Sequence, residues 1–139
     1  MERLDVIFKS IVAGAGAVTG YLYGGWDTLL QVLLIFVIVD YLTGIIAGGT
    51  NGKLSSKVGF RGILKKVLIF IIVAVAHWVD VAVGVALGED VAIFRNATIF
   101  FYLANELLSI TENAGEMGVP IPEKLMNAVE ILKGKSKEE

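Results

Sequence analysis

Six ionisable side chains stand where an apolar chain rarely puts them. Asp40 lies in the run Leu29–Gly48, and His77 and Asp80 lie in Val67–Gly88. Arg95, Glu106 and Glu112 lie in a third, more polar run, Val91–Asn113. An ionised group at the centre of a bilayer costs about 3 kcal/mol or more, so such groups pair with one another or face water. Catalysis finds no footing among them. There is no nucleophile beside a base, no phosphate-cradling loop, and no pair of carboxylates at helical spacing in one accessible pocket. With one histidine and no cysteine, neither a thiolate nor an imidazole-pair metal site is expected. No cofactor, bound metal or enzymatic activity is expected. His77 is left as a hydrogen-bonded or proton-sensing imidazole. For Asp40 two readings stay open: a charge facing an interface or an aqueous lumen, or a structural tie between helices.

The third run carries its polar residues in order. Arg95, Thr98, Tyr102, Asn105, Ser109 and Glu112 step by three and four residues, which places them on one stripe of a helix. Phe94, Ala97, Phe101, Ala104 and Leu108 fall largely off it. A span that gathers polar groups on one stripe hides them from lipid, against other helices or along water. The turn Gly88-Glu89-Asp90 is short enough to make the second and third runs an antiparallel hairpin. Asp80 and Arg95 then lie at similar depth, and an ion pair between them is expected, within one hairpin or between neighbouring protomers.

The elements that position these groups follow from hydropathy. About 20 helical residues cross the hydrocarbon core of a bilayer. Leu29–Gly48 and Val67–Gly88 meet that length with one Asp and, in the second, one His as their only ionisable groups. Residues 91–113 are the least apolar span. Residues 4–26 form a marginal one, with Gly16, Gly20 and Gly24 at every fourth position, a spacing that lets helices approach closely in lipid. Gly44, Gly48 and Gly84 extend the same small-residue logic to the other spans. The fold class expected is therefore all-α: integral membrane helical hairpins with four, or if residues 4–26 stay out three, transmembrane helices. A short amphipathic helix over residues 122–133 follows the breaker Gly118-Val119-Pro120-Ile121-Pro122, with Gly134 suited to end it. The whole chain is expected to be one membrane domain.

Sidedness comes from residues 53–66. Lys53, Lys57, Arg61, Lys65 and Lys66 occur there without an acid, whereas the turns at residues 24–27 and 88–90 hold only acids. Basic segments stay on the cytoplasmic side, so with four spans both termini lie inside, near a second basic group at Lys133, Lys135 and Lys137. Ser55 or Ser56 is suited to cap a helix that carries the basic stretch into the next span. Across the chain 12 basic residues nearly balance 14 acidic ones, which argues against a general basic surface for nucleic acid. Ala13-Gly14-Ala15 looks like a signal-peptide cleavage site, but Glu2 and Asp5 spoil the positive leader, so retention is expected.

Several stretches together resemble the toxin-secretion/phage-lysis family of bacteriophage holins: Val39-Asp40-Tyr41-Leu42-Thr43-Gly44, Gly59 through Gly62-Ile63-Leu64-Lys65-Lys66, and Val79-Asp80. They continue with Asn105-Glu106-Leu107-Leu108-Ser109-Ile110-Thr111-Glu112-Asn113 and with the Gly118–Pro122 breaker. The resemblance covers roughly Leu29 to Lys133. It implies a protein that accumulates and oligomerises in the bacterial cytoplasmic membrane, then opens lesions through which an endolysin, or a toxin, crosses. It also implies that Asp40, Gly44, Asp80, Glu106, Ser109 and Glu112 belong to the family pattern. The tail, Lys135-Ser136-Lys137-Glu138-Glu139, is short and mixed where a long basic tail is usual, and the Gly16–Gly20–Gly24 stripe lies outside these motifs. Beyond the resemblance, the residues leave room for a small oligomeric ion channel or transporter subunit, or a membrane anchor for another protein.

Overall fold

A computed structural model describes residues 1–132; Lys133, Gly134, Lys135, Lys137 and the rest of the tail lie outside the described residues. Five helices follow one another: α1 (Glu2–Tyr23), α2 (Thr28–Thr50), α3 (Ser56–Leu87), α4 (Ile93–Glu116) and α5 (Glu123–Leu132). The all-helical class expected from hydropathy is what the chain adopts, with no strand among the described residues. α1, α2 and α3 are each long and apolar enough to cross a membrane. α4 runs 24 residues beside them but carries the polar stripe and falls short of that apolarity.

Local chemistry sets the ends. α1 stops at Gly24, whose φ of 79° suits glycine. A side chain there would also place its Cβ 2.8 Å from His77 Cε1. Asp27 caps α2 by accepting the Leu30 amide at 3.0 Å. Ser55 caps α3 in the same way, from the Val58 amide at 3.2 Å. From Ser56 the basic stretch and the apolar run form one uninterrupted 32-residue helix. At 1.5 Å per residue that is about 48 Å, well beyond the ~30 Å of a hydrocarbon core, so about three turns extend past it.

α2, α3 and α4 form the bundle. α2 and α3 both lean on α4 and touch each other sparsely. The core is Leu30, Leu33 and Val37 from α2, Ile69 and Val73 from α3, and Ile99 and Leu103 from α4. α1 packs mainly on α3, through its last turns, where the Tyr21 and Trp78 rings lie 5.0 Å apart; no α1 residue is buried. α5 folds back on α4, burying Val129 and bringing Leu132 against the core.

The glycines expected to pack helices do so in only two places. A Cβ on Gly44 would meet the Asn113 amide of α4 at 3.5 Å, and Gly24 faces His77 of α3. Gly84 instead makes room for the α3–α4 turn, where a Cβ would stand 2.7 Å from the Glu89 carbonyl. Gly48 lies over Leu54 of the α2–α3 loop, and Gly16 and Gly20 have open space around them. The reason is α1's position: it projects from the bundle and offers its small face to nothing within the protomer.

Candidate functional site

Two buried charge clusters lie at opposite ends of the bundle. The loop end carries Asn51–Ser55; the turn end carries residues 24–27 and 88–92.

At the loop end three helices each contribute one charge. Lys66 of α3 donates from Nζ to Glu106 Oε2 of α4 at 2.6 Å and also bonds Asp40 Oδ2 of α2. Both carboxylates are nearly inaccessible and the lysine side chain is 19% exposed. Asn113 of α4 completes the set, its Nδ2 donating to Asp40 Oδ1 and Thr43 Oγ1, each at 3.0 Å. The geometry joins all three bundle helices through one ammonium, and two carboxylates share it. Lys66 thus parts company with Lys53, Lys57, Arg61 and Lys65. Those four are exposed, while Lys66 turns inward. Of the two readings of Asp40, the inter-helix tie describes its contacts.

At the turn end the expected Asp80–Arg95 ion pair is not formed within the protomer. The Asp80 carboxylate, 1% exposed, accepts the backbone amides of Phe94 and Arg95 at 2.9 and 2.7 Å. The physical reason is that the residue at the N-cap of α4 is Ala92, which has no side-chain oxygen to cap it. Its first amides are orphaned, and α3 supplies the carboxylate that satisfies them. The Arg95 side chain goes elsewhere. Its guanidinium grips Asp27 through Nη1 and Nη2 at 2.8 and 2.9 Å, and Nε donates to the Tyr23 carbonyl at 2.6 Å. This fork ties the α1–α2 turn to the start of α4. Arg95's hydrogen bonds, ahead of the Leu30 amide, hold the Asp27 carboxyl below the usual range although partial burial opposes them.

The polar stripe of α4 divides. Arg95 turns inward, as does Glu106 beside it, whereas Asn105 and Glu112 are exposed and Thr98, Tyr102 and Ser109 lie half-buried at the edge. Phe101 shares the outer side, but Ala104 is buried. His77 is half-buried against Trp78 and Gly24, edge-on to the indole at 5.8 Å. No cluster of metal-ligating side chains occurs among the described residues.

Sequence reasoning missed the loop-end triad, yet a signal existed. Asp40 lies about ten residues before the end of α2, Lys66 about ten after the start of α3, and Glu106 about ten before the end of α4. Each is therefore about 15 Å from the same end of the bundle.

Long apolar helices that neutralise charge inside and leave a polar stripe outside define a small helical membrane protein. Its sequence places it more closely. The chain belongs to the bacteriophage holin family, whose sequence profile matches residues 17–134. An uncharacterised protein of Listeria monocytogenes is 47% identical over 136 residues, covering 98% of this chain and 94% of the relative. An uncharacterised 14.9 kDa protein of Clostridium perfringens is 39% identical over 135 residues, 97% of this chain and 99% of its own. A probable holin of Bacillus phage phi105 is 33% identical over 112 residues, 81% of this chain and 78% of the relative. No solved structure matches the chain at a significant level.

Proposed function

We propose that this protein acts as a holin: copies assemble in the bacterial cytoplasmic membrane and open a passage through which an endolysin reaches the cell wall. The observation that carries this is the outward stripe of α4. Asn105 and Glu112 are exposed on a protomer in which, among the described residues, every buried side-chain polar atom has a hydrogen-bond partner. In lipid such a stripe is costly until neighbouring copies or water cover it. One chain of this size encloses no wide lumen; several related by symmetry do. α5 adds Lys124, Asn127 and Glu130, also exposed, alongside α4. The protein's part is to form a passage, not to catalyse. The basic loop, with Lys53, Lys57, Arg61 and Lys65, faces the cytoplasm in this reading, and the C-terminus lies on the same side. Transport of a toxin is the same act with another cargo.

Inducible expression in a bacterium, with and without a co-expressed endolysin, tests the reading. The expected result is a delayed, abrupt collapse of membrane potential, followed by lysis only when the endolysin is present. Collapse without lysis in its presence would favour a narrow ion channel, and no collapse at full expression would remove both. Cysteine scanning locates the water-lined face. Labelling at Thr98, Asn105 and Glu112 is expected, and labelling at Phe101 and Ala104 instead would reverse the assignment.

A further inference from the structure

We propose that the cleft between α2 and α3 binds one phospholipid with an anionic headgroup, its acyl chain toward the middle of the bundle and its phosphate against Lys65. Because α2 and α3 meet sparsely, a cleft opens between them, and two cavities line up along it. The one nearer mid-bundle, about 250 Å³, is walled by Val37, Ile38, Leu42, Val67 and Phe70. The one at the loop end, about 240 Å³, is walled by Gly44, Gly59, Gly62 and Lys65 with polar groups at its floor. Tyr41 and Lys66 line both, so the two are adjoining parts of one cleft. Glycine keeps it open. The Tyr41 hydroxyl donates to the Gly59 carbonyl at 3.4 Å, and a Cβ on Gly62 would already stand 3.4 Å from that ring.

The mid-bundle part is lined mainly by apolar side chains, and the loop-end part adds Lys65 and polar groups beside Ile45, Leu54 and Val58, so the cation lies at the end where a phospholipid headgroup of that leaflet would sit. Charge complementarity identifies the headgroup as anionic. Lys66 is held between Asp40 and Glu106, which share it, and is not free to meet a headgroup. Lys65 is exposed and, like Lys57 and Arg61 on the same helix, makes no ion pair among the described residues. The proposal rests on the helices lying in a bilayer, and not on passage of a wall enzyme.

The test uses the full chain purified in detergent and native mass spectrometry with phosphatidylglycerol and phosphatidylcholine at equal concentration. Retention of one phosphatidylglycerol per protomer in preference to phosphatidylcholine is expected. Lys65→Gln should weaken it about fivefold, the worth of one lysine near an anionic lipid surface, and the cleft-filling Gly62→Leu should abolish it. Lys124→Gln, on α5 and away from the cleft, should leave it unchanged. Equal retention of both lipids, or equal loss in Lys65→Gln and Lys124→Gln, would overturn the site in favour of general surface attraction. Disulfide cross-linking between copies carrying Gly62→Cys in native membranes would overturn it in favour of a protein interface. A carbonate wash separates the two levels of failure. A chain that stays membrane-embedded yet shows no lipid preference refutes the site alone, and a chain washed off refutes the bilayer reading with it.

Discussion

Replacing Lys66 with Met removes the ammonium on which three helices converge while keeping most of the side-chain volume. Two unit charges about 4 Å apart attract by about 4 kcal/mol at an effective dielectric of 20. Lys66 has two such partners, so the gross attraction is about 8 kcal/mol. Desolvating three ions costs several kcal/mol each, and the two carboxylates repel one another, so the intact triad contributes no net stabilisation. The deletion is nonetheless costly. Without Lys66, Asp40 and Glu106 remain buried with no cation, and their side chains are only 7% and 6% exposed. Removing one partner of a buried pair costs about 3–5 kcal/mol, and that is the destabilisation expected for Lys66→Met. Adding Asp40→Asn and Glu106→Gln leaves no charge to strand, so the triple variant should recover to within about 2 kcal/mol of the parent. Equilibrium unfolding from mild detergent into dodecyl sulfate, followed by circular dichroism, measures both. The reasoning is refuted if Lys66→Met unfolds within about 0.5 kcal/mol of the parent, or if the triple variant is no more stable than the single one.

Asp80→Ala should cost about 2 kcal/mol, as loss of a strong helix cap does, and should speed hydrogen exchange at the Phe94 and Arg95 amides. The swap Asp80→Arg with Arg95→Asp should rescue nothing, because Asp80 serves backbone amides and not the guanidinium. Asp27 predicts an acid-sensitive component of stability. Its folded carboxyl lies below the usual range, so its stabilisation is complete above about pH 4 and is lost as pH falls through the lower folded value. Because Asp27 is half-exposed, the amount is below about 1 kcal/mol, and Asp27→Asn should flatten that part of a melting-temperature profile against pH. Gly24→Ala should cost about 1–3 kcal/mol, since it forces a side chain into a left-handed turn and against His77; thermal unfolding in detergent measures it.

Much of the fold was legible because hydrocarbon as solvent leaves a coarse mark. The helix over residues 28–50, the continuous basic-to-apolar helix beginning beside Ser55, and the amphipathic α5 all follow from apolar run length, capping residues and glycine or proline breaks. Partner choice was harder. Asp80 and Arg95 sit at matching depth on one hairpin, and matching depth suggested a pair. The missing information was that α4 starts without a cap of its own, which an alanine at position 92 already implies. Helix amides then compete for the carboxylate and win, because they are fixed in place while a guanidinium has other carbonyls and carboxylates within reach. The loop-end triad escaped for the opposite reason. Its members belong to three separate helices, and only counting residues from the helix ends aligns them. The role of α1 was the least legible. Its every-fourth glycine pattern is real, yet within the protomer only Gly24, against His77, meets a neighbour, and Gly16 and Gly20 face open space.

The inward contacts of α4 explain why its polar stripe must stay outside. Arg95, Glu106 and Asn113 are separated by eleven and then seven residues, close to whole turns of a 3.6-residue helix. They therefore lie along one line of α4, and each is tied to a different part of the bundle: Arg95 to the α1–α2 turn, Glu106 to α3 and Asn113 to α2. Turning α4 by one residue, about 100°, would break all three ties together and strand the charges of Arg95 and Glu106. Its rotational setting is thus fixed at both ends. Asn105 and Glu112 are held outward by the same contacts that hold Glu106 inward. A protomer built this way cannot hide the stripe by rolling the helix over. Only its surroundings can change what the stripe meets, which places the burden of covering or wetting it on the neighbouring copies that the proposed assembly brings in.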